Sequence, residues 1–374
     1  AIEKGAALHG KAAAQGKGRE MVAKAPRHYW MDLLNVIACF AVVMLHCTTT
    51  VFANSGDTEW HLDVLFQSIC IFAVPVFFMI SGANLLGYRE KYDTKTFFVK
   101  RFRKVVFTLV IASIIVYVCQ PLLAFIIAGT PPDISIGGFV KGFLHNQICD
   151  IYWFFYAIII LYAVTPVFSL VAQNKQVLGY AICLCIATTM VFPLLERFSP
   201  DGGFLSLFMV PYLSSWLTYF LLGYYLVHYC DKQPAAWKSA LVAVVCVAIM
   251  VVMTVKTNAP HTLAAGSFAP YDNFYASATG LFALVYAVAL FFLFGHFNDA
   301  IGLAKAYPFI NKMSGLSLGV YAMHMMVIHT LDLVVPHSIA WNIGLRPFVV
   351  FALALALSFI GKQFMAFTRK LRAK

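Results

Sequence analysis

The feature that most constrains this chain is a succession of apolar runs, each about 20 residues long and separated by short polar breakers. In hydrocarbon every backbone N–H and C=O must find a partner within the protein, so runs of this length fold as helices. A membrane β-barrel is built instead from short alternating segments, and the runs here are continuous. With 61% hydrophobic and only 11% charged residues, against roughly 45–50% and 25% in soluble domains, the apolar surface needs lipid to cover it.

Ten spans are expected, at about 31–53, 62–87, 105–129, 149–172, 177–195, 209–230, 237–255, 274–298, 313–334 and 344–366. Breakers such as Asn54-Ser55-Gly56-Asp57, Pro131-Pro132-Asp133, Pro200-Asp201-Gly202-Gly203 and Pro336-His337-Ser338 fall between them. The fold class is therefore all-α, a polytopic membrane helix bundle. Residues 1–27 form a basic N-terminal extension, in which 1–20 precede Met21 and are expected to stand outside the fold. Residues 28–374 form one membrane domain.

The net charge of +11 would suggest nucleic acid in a soluble protein, but here topology explains it. With the N-terminus cytoplasmic, the outside segments hold only Lys141, Arg197, Lys256 and Arg346 of the 27 Lys and Arg residues. That division predicts both termini on the cytoplasmic side. Lys95, Lys100, Arg101, Arg103 and Lys104 crowd the inside loop expected before the third span. Two readings stay open for them: attraction to anionic headgroups, or a face for an anionic cytoplasmic ligand such as coenzyme phosphates. The nine cysteines show neither metal-ligand spacing nor a disulfide framework, and no metal is expected.

The first span carries the most suggestive pattern. Asp32, Asn35, Cys39, Val42 and His46 recur at intervals of 3, 4, 3 and 4, on one helical face; Thr49 and Thr50 extend it outward. Polar groups in hydrocarbon are costly, so this face is expected to look into the bundle or a hydrated cavity. His46 lies roughly 22 Å along the helix, past the midplane. Its imidazole suits a general base for a hydroxyl nucleophile, and equally an interhelical hydrogen bond.

These residues resemble the acyltransferase-3 integral membrane acyltransferases, which include surface-polysaccharide O-acetyltransferases. Asp32, Leu34, Ile37, Ala38, Val42 and His46 match the family's first-span pattern, and Val74 to Gly82 (VPVFFMISG) its second-span signature. Phe97 to Lys104 (FFVKRFRK), Tyr152-Trp153-Phe154 with Tyr162 to Pro166, Tyr219 to Tyr225 (YFLLGYY) and Ser317 to His324 (SLGVYAMH) follow in the family's order. Two departures stand out: Asn35 occupies the position of a family Arg, and Ile151 that of a His.

The resemblance implies transfer of an acyl group, usually acetyl from acetyl-CoA, to a hydroxyl of an envelope glycan or lipid-linked acceptor. It also implies a bacterial cytoplasmic membrane. On that basis His46 is the expected general base, with Asn35, Ser81 and Tyr152 as donors to the thioester or its oxyanion. Lys100, Arg101, Arg103 and Lys104 are expected to hold coenzyme phosphates. Asp32, Cys39, Trp153, Tyr321 and His324 are expected to line the cavity. Plainer readings compete: Ser81-Gly82 allows close helix approach, Tyr152 and Trp153 form an interface belt, and His329, off the face of His324, is structural or near the outer surface. A transporter of a glycan or polar solute, or a scaffold that binds without turnover, are the alternatives to an enzyme.

Overall fold

The computed structural model describes residues 28–198, 214–259, 270–297 and 301–372. The extension 1–27 and the Pro200–Gly203 breaker lie outside the described residues. Fourteen α-helices occur among them, in the order α1 (Tyr29–Cys47), α2 (Thr58–Cys70), α3 (Ala73–Leu85), α4 (Thr94–Ala128), α5 (Ile136–Leu144), α6 (Trp153–Val171) and α7 (Lys175–Ile186). They continue with α8 (Phe192–Arg197), α9 (Ser215–Tyr229), α10 (Ala236–Asn258), α11 (Leu281–Gly295), α12 (Ile301–Ser314), α13 (Ser317–Asp332) and α14 (Arg346–Arg372). The described residues contain no strand.

Among the described residues, seven helical stretches are long and apolar enough to cross a membrane: 29–47, 58–90, 94–128, 150–171, 175–197, 236–258 and 340–368. The stretches expected at 209–230, 274–298 and 313–334 appear as the shorter α9, α11 and α13, of 15, 15 and 16 residues. Residues 209–213 lie outside the described residues. The first span ends earlier than expected: a five-residue 3-10 segment, Thr49–Ala53, follows Thr48. Thr49 and Thr50 therefore leave the helical face of Asp32 and His46, and the Thr50 hydroxyl bonds the buried Asp63 carboxylate instead.

A second correction concerns the basic cluster. It lies in no loop, because α4 runs unbroken for 35 residues from an Asp93 cap that accepts from the Thr96 N–H. At 1.5 Å per residue that helix is roughly 52 Å long, far more than a hydrocarbon core of about 30 Å. Lys95 to Lys104 occupy the N-terminal turns of that helix.

α1 is the hub. It touches α2, α3, α11, α12, α13 and α14, and Leu34, Ala38 and Val43 have no exposed surface. The tightest pairing joins α3 and α9. A Cβ on Gly82 would strike the Phe220 carbonyl oxygen, and a Cβ on Gly223 would strike that of Met79. Lipid tails are as apolar as side chains, so membrane helices associate through close packing of small residues rather than through water exclusion. Gly82 and Gly223 supply that packing reciprocally.

Candidate functional site

The polar stripe of α1 divides into two ends with different work. At its N-terminal end, Asp32 accepts hydrogen bonds from Ser314 Oγ (2.6 Å) and Tyr307 Oη (2.9 Å). One turn on, Asn35 Nδ2 donates to Ser314 Oγ and Ser317 Oγ, both at 3.0 Å. The Cys39 thiol lies 3.7 Å from the Ser317 carbonyl. All three residues are thus tied to the joint between α12 and α13. The helix breaks there at Gly315-Leu316, leaving hydroxyls and carbonyls in reach of α1. The stripe does face the bundle, and its N-terminal half makes interhelical bonds.

At its C-terminal end, the half-buried His46 ring lies 5.3 Å from the ring of His324, with 44° between their planes. His324 is fully buried, and its Nδ1 faces the Tyr321 carbonyl at 2.8 Å. A carbonyl only accepts, so Nδ1 carries the proton and Nε2 keeps a lone pair. That buried Nε2 has no hydrogen-bond partner. His329 is also drawn in: its Nδ1 lies 2.7 Å from Gln120 Nε2 on α4, and it interacts electrostatically with both His46 and His324. Asp150 also interacts electrostatically with His46.

Gln120 and Asp150 were missed by sequence reasoning. The available signals were a glutamine inside an apolar span, just before Pro121, and a carboxylate beside the departure at Ile151. A cavity of about 320 Å³ opens here, lined by Val116, Tyr117, Gln120, Pro121, Gln147 and Ile148 among others. Gln120, on its wall, is the residue that meets His329. A second cavity, of about 390 Å³, is lined by residues including Arg197, Asp272, Phe274 and Thr279, and none of the sequence-predicted site residues reaches it.

Tyr152 and Tyr321 form a reciprocal tether. Tyr152 Oη donates to the Ala322 carbonyl (2.8 Å), and Tyr321 Oη donates to the Ile151 carbonyl (2.7 Å). Both rings are buried, so these hydroxyls fix the start of α6 to α13. Trp153 is 36% exposed, and its ring meets that of Trp216 at 5.1 Å, as an interfacial aromatic would. Ser81 is half-buried beside Gly82 on the α3–α9 seam.

The four cluster residues also separate. Phe97, Val105, Leu109, Ala112 and Val116 make the buried stripe of α4, and Arg101 falls on it, four residues after Phe97. Its Nε is buried without a hydrogen-bond partner, and the guanidinium interacts electrostatically with Tyr162 on α6. Lys104, one turn further and more exposed, lies close enough to feel Arg101. Lys100 instead sits over the Tyr92 ring at 4.5 Å, and Arg103 is exposed. From Lys104 to Gln120 is about 24 Å along the axis, so the cations and the histidines occupy opposite ends of one helix bundle.

All nine cysteines are free, and no group of three or more His, Cys, Asp or Glu among the described residues is placed to hold a metal. Fold and site together define a polytopic helical membrane protein with cations at one end and a histidine pair at the other. The family model for the acyltransferase-3 acyltransferase domain matches residues 28–363, and the chain belongs to that family. No curated protein and no solved structure matches it.

Proposed function

We propose that this protein is an O-acyltransferase that takes an acyl group, acetyl in the simplest case, from cytoplasmic acyl-CoA. The acceptor is a hydroxyl of an envelope glycan or a related lipid-linked molecule. α9, α11 and α13 complete a set of ten spans with both termini cytoplasmic, in a bacterial cytoplasmic membrane. The coenzyme phosphates meet Arg101 and Lys104, with Lys100 and Arg103 at the rim. About 24 Å of bundle then separates them from the outer histidines, a distance that the coenzyme's extended arm and the acceptor must close between them.

The observation that carries this reading is the His46–His324 pair in a member of an acyltransferase family. His46 takes the proton from the acceptor hydroxyl as its oxygen attacks the thioester carbonyl. The C–S bond then breaks, and the departing sulfur receives that proton from the imidazolium. The lone pair on His324 Nε2 offers an acceptor beside the imidazolium. Asn35 serves this chemistry as a brace for α1, its amide nitrogen being committed to Ser314 and Ser317. Tyr152 acts likewise as a tether.

The test is transfer of label from acetyl-CoA to cell-envelope glycan by the purified protein in lipid. Loss of transfer in His46→Ala, with coenzyme binding retained, is the expected result. Undiminished transfer by that variant refutes the general base. Solute uptake by the wild type without any acyl transfer would favour a transporter.

A further inference from the structure

The cavity of about 390 Å³, which holds none of the predicted site residues, has walls fixed by buried polar groups. One wall is the segment 271–280. Asn258 on α10 has no exposed surface, and its side chain donates to the Asp272 carbonyl (2.8 Å) and accepts from the Asp272 N–H (2.9 Å). Tyr219 on α9, equally buried, donates from Oη to the Ala278 carbonyl (2.8 Å). Another wall comes from α8 and from the five-residue π segment before it, Ala187–Val191; such segments recur at functional sites. Arg197 links the two walls, since it pairs with Asp272 and lies over the Phe274 ring at 5.4 Å. The cavity lies at the same end of the bundle as the histidine pair. Trp216, on the first turn of α9, meets Trp153, and the adjacent Tyr152 is tied to Ala322, on the same turn of α13 as His324.

The groups that line this space match a neutral polyol. Arg197 and Asp272 cancel in charge, so the lining gives an anion little net attraction. Its polar atoms include both donors and acceptors. Thr189 Oγ1 spends its proton on the Cys185 carbonyl (2.8 Å) and is left to accept. Ser277 and Thr279 share one hydroxyl proton across 2.9 Å, so the other is left to donate. Asn273, exposed, adds an amide that does both. Each hydroxyl of a sugar is likewise donor and acceptor, while its C–H face packs against an aromatic ring such as Phe274. The volume lies at the lower end of the roughly 300–1,000 Å³ of small-molecule sites, which suits a saccharide unit rather than a whole coenzyme. We propose that this cavity is a binding subsite for a neutral sugar residue, separate from the histidine pair. Its link to the reaction rests on the acyl-transfer reading above, in which it holds a part of the glycan acceptor remote from the acylated hydroxyl; its affinity for sugar does not.

A plainer role competes, in which the Arg197–Asp272 pair only clamps α8 to the 271–280 segment. Saturation-transfer NMR on the full-length protein in nanodiscs separates the two. The probes are the methyl glycosides of glucose, galactose, mannose and N-acetylglucosamine, with inorganic phosphate as competitor. The subsite predicts that at least one glycoside binds the wild type and that phosphate does not displace it. Asn273→Ala, at an exposed residue, should weaken that binding about threefold, and its combination with Thr279→Val about tenfold, the worth of one to two hydrogen bonds. The ligand-free melting temperature of N273A should match that of the wild type. If no glycoside binds, if phosphate displaces the sugar, or if the double variant binds it as the wild type does, the subsite is overturned, and acyl transfer by the same preparation still upholds the acyltransferase. If the double variant loses the sugar but the wild type transfers no acyl group to glycan, the subsite stands and the acyl-transfer reading falls.

Discussion

Gly82→Ala sets two effects of opposite sign against each other. Alanine is favoured over glycine in a helix by about 0.8–1 kcal/mol, so propensity alone predicts a more stable protein. The structure predicts the reverse at this position. The added methyl would enter the Phe220 carbonyl oxygen, a backbone atom of α9 that no rotamer change can move. α3 and α9 must part, and overpacking of this kind costs about 1–3 kcal/mol. Parting also forfeits dispersion contact along the seam, which lipid does not replace in kind. The upper part of that range applies because both sides are backbone, so the net loss after the propensity gain is about 2 kcal/mol. Gly223→Ala should behave alike, since its methyl meets the Met79 carbonyl. Two controls invert the sign: at Gly179 the new methyl would sit 3.7 Å from the Tyr225 ring edge, and at Gly361 it would meet nothing within 4 Å. G179A and G361A should hold or gain up to about 1 kcal/mol. Thermal unfolding in detergent, followed by a thiol-reactive fluorophore, suits a chain whose free cysteines are mostly buried. A G82A protein that melts at or above the wild type, or a G179A protein that falls as far as G82A, refutes the reasoning.

Tyr152→Phe removes a buried hydroxyl that donates to the Ala322 carbonyl at 2.8 Å, so it should cost about 1–2 kcal/mol of stability and leave turnover per folded molecule within a few-fold. A large loss of turnover at unchanged melting temperature would instead restore Tyr152 as a catalytic donor. Outside the spans, the hydrogen bond with Thr96 is the main cause holding the Asp93 carboxyl below its ordinary 3.8. A carboxyl depressed on folding stabilises fully above its unfolded value and loses that effect as the pH falls through the folded one. The melting-temperature gap between wild type and Asp93→Ala should therefore be full at pH 7 and close below about pH 4; a gap that is independent of pH would show that the charge at the cap is irrelevant.

The first span shows how far sequence reading reached. Its 3-4-3-4 spacing placed Asp32, Asn35, Cys39 and His46 on one face, and the helix does turn that face into the bundle. Spacing names a face and not its partners, so it gave no sign that the inner three residues are bound to Ser314, Ser317 and Tyr307 while His46 meets His324. The basic run on α4 was legible as a cluster. Its division, with Arg101 on the buried stripe and Lys100 over Tyr92, follows from helix phase once the start of α4 is known. Gln120 and Asp150 carried little local signal, because each becomes notable only through a histidine in a distant part of the chain, His329 for one and His46 for the other.

What the sequence determined by itself is the solvent and the local form. Runs of about 20 apolar residues must lie in lipid, and backbone polar groups in lipid must close their own hydrogen bonds as helices. What only the tertiary structure decided is which polar side chains meet. In a bilayer, helices choose partners by close packing of small residues and by a few buried hydrogen bonds. Both depend on atoms brought together from distant parts of the chain, as Gly82 meets Phe220 and His46 meets His324.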